Sequence, residues 1–214
     1  MQSEARNIII FGWAGLAATI LVGIGEFLVH YSATGYTGAN NFTWLTSIPA
    51  NRISIGHWLM VLGMPFYIFG YYHLYLCLRK GDEILARMLL VLGVFAFVIG
   101  GVWAGSRAML TEIVKSENQL LIEYYKSHYE ILVQVLRILI LFISVLWVYI
   151  ILTTKTIYPK WMALVNPILI LGLIFVAYFL LPFFGSFLVP TAMNVTHLIL
   201  FIFSLRASYK LSSL

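Results

Sequence analysis

The sequence predicts an all-α integral membrane protein: one domain over residues 1–214, a bundle of six transmembrane helices, both termini cytoplasmic. Three observations carry this expectation. Of the 214 residues 62% are hydrophobic and 10% charged, with a mean hydropathy of +0.95, whereas soluble domains carry roughly 25% charged residues. Six apolar runs are long enough, at about 20 residues, to cross a bilayer. Lys and Arg collect in alternate loops.

The spans are expected at 8–31, 54–78, 84–110, 130–153, 161–181 and 187–207. The first follows MQSEARN, whose single Arg and single Glu do not make a signal-peptide start, and no small-x-small cleavage site precedes Glu26, so the segment is read as a spanning helix. The stretch 32–53, rich in Gly, Asn and Thr and ending near Pro49, predicts a structured outer loop. Asn41-Phe42-Thr43 within it matches a glycosylation sequon. The segment 111–129 lacks Gly and Pro and predicts helical extensions of spans three and four beyond the bilayer. Pro65, Pro167 and Pro190 predict kinks in spans two, five and six.

Orientation follows from the basic residues. Arg6, Arg79, Lys80, Arg87, Lys155, Lys160, Arg206 and Lys210 share the side of the termini, against Arg52, Lys115 and Lys126 opposite. The formal charge of +5 is therefore a topology signal, and nucleic acid is not an expected partner. Tyr71, Tyr72, Tyr75, Tyr158 and Trp161 suit the cytoplasmic interface belt, and Tyr31, Tyr36, Trp44 and Trp58 the outer one. Cys77 is the only cysteine and is read as an apolar filler.

Polar residues concentrate in the outer half. Glu26 and His30 are four apart on the first span, beside a small-residue stripe that points them inward. Ser54 and His57 open the second span. The third carries Gly93, Gly100 and Arg107 at heptad spacing, and the fourth places Glu123, Glu130, Gln134 and Arg137 on one stripe. The sixth adds Asn194 and His197. A buried charge costs several kcal/mol unless paired, so intramembrane ionisable residues point to a functional site. A network that only sets helix register is the rival explanation.

In that site Glu26, His30 and His57 are the candidate catalytic residues, with Glu26 or Glu130 as acid or base. Arg107, Glu130, Gln134, Arg137, Asn194 and His197 are the candidate ligand-binding residues. The forked donors of Arg107 and Arg137 suit an anionic headgroup. His30, His57 and His197 are the candidate set for a zinc ion, and Ser54-x-x-His57 faintly resembles metal-dependent intramembrane hydrolases of the alkaline ceramidase kind, without that family's paired histidines on a late helix. A haem lacks a partner for His73, which is read as capping carbonyls or reaching the interface. A retinal lacks a span lysine, and nucleotide loops are missing.

The motifs GxGEFLxHY, IGHW followed by GxPxYxxGYxH, WxGSRA and YPKWMALxNP together resemble a bacterial multi-pass membrane-protein family of unknown function, over essentially the whole chain. The resemblance implies a polytopic bacterial membrane protein and no activity. The expected location is the cell membrane and the expected partners are membrane lipid and a small amphiphilic ligand. A small transporter or channel, which would need polar residues through to the cytoplasmic face, and a purely structural subunit are the competing readings.

Overall fold

Helix α1 (Gln2–His30) is followed by α2 (Ala50–Gly63) and α3 (Phe66–Leu78), which together make one pass. Then come α4 (Glu83–Lys115), α5 (Gln119–Thr153), α6 (Pro167–Leu180), α7 (Pro182–Leu188) and α8 (Ala192–Ser212). This computed structural model describes residues 2–32 and 42–212, with side chains described from 6 to 32 and from 42 to 209. Asn41 of the sequon, Tyr36 of the outer belt and the Lys210 side chain lie outside the described residues. Among the described residues there is no strand.

Five helical passes are long and apolar enough to cross a membrane. The sixth, α6, has 14 residues, or about 21 Å at 1.5 Å per residue. The expected span 161–181 is therefore corrected: residues 160–164 form a 3-10 turn and the helix begins only at Pro167. Pro167 does not kink this helix. It occupies the first helical position, where its missing N–H has no role, and Asn166 caps the helix by accepting from Leu169 N at 3.0 Å.

Pro65 does interrupt its pass, where Tyr67 N bonds Met64 O and Ile68 N bonds Pro65 O, both tight i to i−3 bonds. Pro190 lies in a 3-10 turn that joins α7 to α8. Residues 111–129 are helical as expected, except for a tight connection in which Glu117 takes a positive φ and Asn118 caps α5.

Helix α1 packs on α2, α3 and α8. Backbones approach at two glycine pairs: a Cβ on Gly25 would lie 2.6 Å from Gly56 O, and one on Gly15 would lie 2.6 Å from Gly70 Cα. Helix α4 packs on α3, α2 and α5. Trp13 Nε1 donates to Tyr209 OH at 2.9 Å, so the two chain ends share one face of the bundle. At the opposite face Leu45, Ile48, Ile53, Leu110, Val114 and Ile122 form a small second core, which explains why α4 and α5 extend past the main bundle. Arg52, counted above among the outer-loop charges, donates to the Phe27 and Tyr31 carbonyls at the end of α1.

The outward surface is apolar: Ile20, Val91, Phe95, Phe142, Val145 and Leu173 are all exposed. A surface of this kind is stable against acyl chains and unfavourable against water.

Candidate functional site

Between α1, α4, α5, α6 and the start of α8, toward the face remote from the termini, lies a cavity of about 510 Å³. Its walls are mainly apolar. Five polar side chains reach it: Glu26 and His30 from α1, Arg107 from α4, Arg137 from α5 and Asn194 from α8. This size falls in the range of small-molecule sites, as does the mix of apolar wall and a few polar groups.

Each group has its own support. Asn194 Nδ2 donates to Glu26 Oε2 at 2.5 Å, and Tyr67 OH donates to Asn194 Oδ1 at 2.5 Å. This chain holds the carboxylate against the α1–α8 wall. Arg107 Nη2 donates to Tyr129 OH at 2.5 Å, and its guanidinium lies 3.8 Å from the Trp103 ring centroid. Arg107 Nη1 also meets His30 Nδ1, which stands 3.3 Å from Pro190 O. That one nitrogen accepts from the guanidinium in one tautomer or donates to the carbonyl in the other.

Glu26 and Arg107 are both buried and both line the cavity. They do not pair directly. The ion pairs among the described residues are Glu83–Arg87 and Glu112–Lys115, both away from the cavity. Glu26 Oε2 is bonded, while its other oxygen has no hydrogen-bond partner among the described residues. Arg137 has no hydrogen-bond or ion-pair partner among the described residues. The site thus has an acceptor on one wall and donors on another, with the cavity between.

The other expected site residues are placed differently. Glu130 and Gln134 are exposed and do not line the cavity, so their expected part in the cluster is corrected. Helix α6 explains Glu130. Ile168 N bonds Ser144 Oγ at 3.1 Å, so an antiparallel register puts Phe175 level with Arg137 and Leu180 level with about residue 132. Glu130 lies past the end of α6, where no helix covers it.

His57 is also outside the cavity. It stands edge-on to Trp58 with its Nδ1 buried and unpartnered. His197 is fully buried one layer below, its Nε2 3.0 Å from Tyr71 OH and its Nδ1 2.9 Å from Met193 O. The zinc set His30, His57 and His197 is therefore not brought together, and no group of three or more His, Cys, Asp or Glu among the described residues is placed to hold a metal ion.

Sequence reasoning missed Tyr67, Trp103 and Tyr129. Trp103 is four residues before Arg107 and Tyr67 four before Tyr71, so helical spacing was available as a signal. Tyr71 is not in the interface belt: it is fully buried against His197. Cys77 is a buried free thiol within the hydrophobic core, in line with the filler reading, and His73 meets a carbonyl, Ile8 O, instead of reaching the interface. Both are fully buried in a second polar cluster nearer the termini. There His73 Nδ1 is 2.7 Å from Ile8 O, His73 Nε2 is 2.6 Å from Ser204 Oγ, Tyr158 OH is 2.5 Å from the same oxygen, and Cys77 Sγ is 3.5 Å from Ser208 Oγ.

A family of unknown function, DUF6796, matches residues 1–210. The chain belongs to the DUF6796 family. No curated protein and no solved structure matches it. In this DUF6796 chain the motif segments divide by role. Within GxGEFLxHY and WxGSRA, Glu26, His30, Trp103 and Arg107 line the cavity. YPKWMALxNP is a joint. Tyr158 reaches Ser204, Lys160 Nζ donates to the Ile151, Leu152 and Thr154 carbonyls at the end of α5, Met162 O accepts from Trp147 Nε1, and Asn166 caps α6.

Proposed function

We propose that this protein is a multi-pass protein of the cell membrane, with both termini cytoplasmic, whose outer-half cavity binds or acts on a small amphiphile or lipid. One observation carries the reading: an apolar cavity of about 510 Å³ on which Glu26, His30, Arg107, Arg137 and Asn194 converge. A register-setting network packs its charges against each other. Here a buried carboxylate and a buried guanidinium face a void without pairing, an arrangement favourable only when something polar occupies the space between them. If a reaction follows binding, Glu26 and His30 are the acid and base within reach.

A conducting channel is less well supported. The face of the cavity toward the termini is floored by Phe97, stacked on Tyr67 at 3.6 Å and meeting His197 edge-on. The orientation rests on the Lys and Arg distribution, and a reporter fused after residue 80 that scores external overturns it.

Filling the cavity tests the binding reading. Gly100 lines it, and a Cβ there would meet only Met64 Cε at an ordinary 3.7 Å. Gly100→Leu should abolish co-purification of the amphiphile, read by mass spectrometry of solvent extracts, with the thermal midpoint in detergent preserved. Equal amphiphile content in the wild type and in a folded Gly100→Leu protein rejects the reading.

A further inference from the structure

We infer that the cavity is loaded sideways from the bilayer, through the seam between α5 and α6, by an anionic lipid of the outer leaflet whose headgroup is received by Arg137. This deepens the proposed function and rests on it.

The wall toward the termini is the aromatic floor of Phe97, Tyr67 and His197. On the opposite side, the described loop residues Phe42, Trp44 and Leu45 close over His30 and Arg107, with Leu110 and Tyr129 beside them. The space left there is about 10 Å³, room for one water at most. The α1, α2 and α8 walls are of buried or half-buried residues. The lining residues that are exposed are Arg137 on α5 and Ile168 and Phe175 on α6.

The exposed flank is therefore a single seam. Phe175 stands level with Arg137 across it, and a side chain added at Gly172, on the same helix, would meet nothing within 4 Å. The two helices are held together by the Ser144–Ile168 bond at one end.

The depth and chemistry of the seam select the ligand. Arg137 is 16 residues from the end of α5 at Thr153, about 24 Å along the helix. In a hydrocarbon core about 30 Å thick, that places the guanidinium near the outer headgroup level. A cation there, exposed and without a partner among the described residues, complements a phosphate or carboxylate, and the apolar α5 and α6 faces below it suit an acyl chain. Arg107, on the outer side of Arg137 and already bonded to Tyr129, which is eight residues further out on α5, makes a second cationic contact. The free oxygen of Glu26 accepts from a hydroxyl, so an anionic headgroup that also carries a hydroxyl fits both walls.

The test uses the full chain in nanodiscs and two photoactivatable probes with the same diazirine-bearing acyl chain: phosphatidylglycerol and phosphatidylcholine. Phosphatidylglycerol should label Ile140, Leu171 or Phe175, mapped by peptide mass spectrometry. Arg137→Gln should cut that labelling about tenfold, as loss of one charge-assisted contact implies. Arg137→Lys should retain most of it, and phosphatidylcholine labelling should not change. Arg137 has no partner to strand, so the variants should fold.

Equal labelling by both probes, unaffected by Arg137→Gln, means annular lipid only and overturns the inference. So does full competition by water-soluble glycerol 3-phosphate, which would mean access from the aqueous side. Either failure leaves the cavity-filling result with Gly100→Leu standing. Failure of the binding reading itself would appear there, as amphiphile content unchanged by filling.

Discussion

Two buried polar regions stand one above the other in this bundle, and they solve the same problem oppositely. Around His73, both ring nitrogens are engaged, by Ile8 O and Ser204 Oγ, and Tyr158 and Ser208 complete the set. Around Arg107 and Glu26, charged groups face a cavity of about 510 Å³, and Arg137 has no hydrogen-bond or ion-pair partner among the described residues. Satisfied groups in close packing stabilise a fold. Charges held apart around a void cost stability unless a ligand supplies the missing contacts. Burial of polar residues is thus a poor guide to function in a membrane bundle. The guide is whether the protein itself completes their hydrogen bonds.

The contrast can be broken by substitution, and the largest effect is expected at the inner cluster. His73→Ala removes a fully buried ring and leaves Ser204 Oγ and the Ile8 carbonyl each one partner short. It should lower stability by about 3–4 kcal/mol, read as thermal or denaturant unfolding in detergent, with bound amphiphile per folded protein unchanged. Loss of amphiphile without loss of stability would reverse the roles assigned to the two regions.

A smaller effect is expected where the two kinds of region meet. Asn194→Ala leaves Glu26 Oε2 and Tyr67 OH unbonded. The cost should be about 2 kcal/mol, because the cavity lets water reach the carboxylate, and amphiphile retention should fall as Glu26 loses its fixed position. A penalty as large as that of His73→Ala would mean that the cavity is dry and the network structural.

The smallest stability effect is expected for Arg137→Gln, within about 0.5 kcal/mol of wild type, as for an unpartnered surface position. A loss of about 3–5 kcal/mol, the amount typical of a broken buried pair, would show that Arg137 has a partner in the membrane and would weaken its assignment to ligand.

The sequence by itself determined that the molecule is all-helical and that several of its helices are long and apolar enough to cross a membrane. The run lengths and the scarcity of charge sufficed, because in hydrocarbon each backbone polar group has to be satisfied within its own helix, which makes helicity a local property. The small residues of the first span also marked a buried face, and Glu26 and His30 are on it. What helical periodicity reports is direction around one axis. It does not report which helix stands opposite, nor at what height.

Glu130, Gln134 and Arg137 share a stripe on α5, yet Arg137 alone of the three lines the cavity. The level at which α6 begins and ends is decided by a contact between distant residues, Ile168 with Ser144. In the same way the histidines of three helices were equivalent on paper. Tertiary packing put His30 at the cavity, sealed His197 under Phe97 and left His57 outside. It also turned Tyr71 and Tyr158, plausible interface residues by position, into the partners of His197 and Ser204. Those assignments depend on the close approach of α1 to α3 at Gly15 and Gly70 and on the fold-back of residues 154–166, and the glycines and the motif that mark these places do not say which helix each one meets.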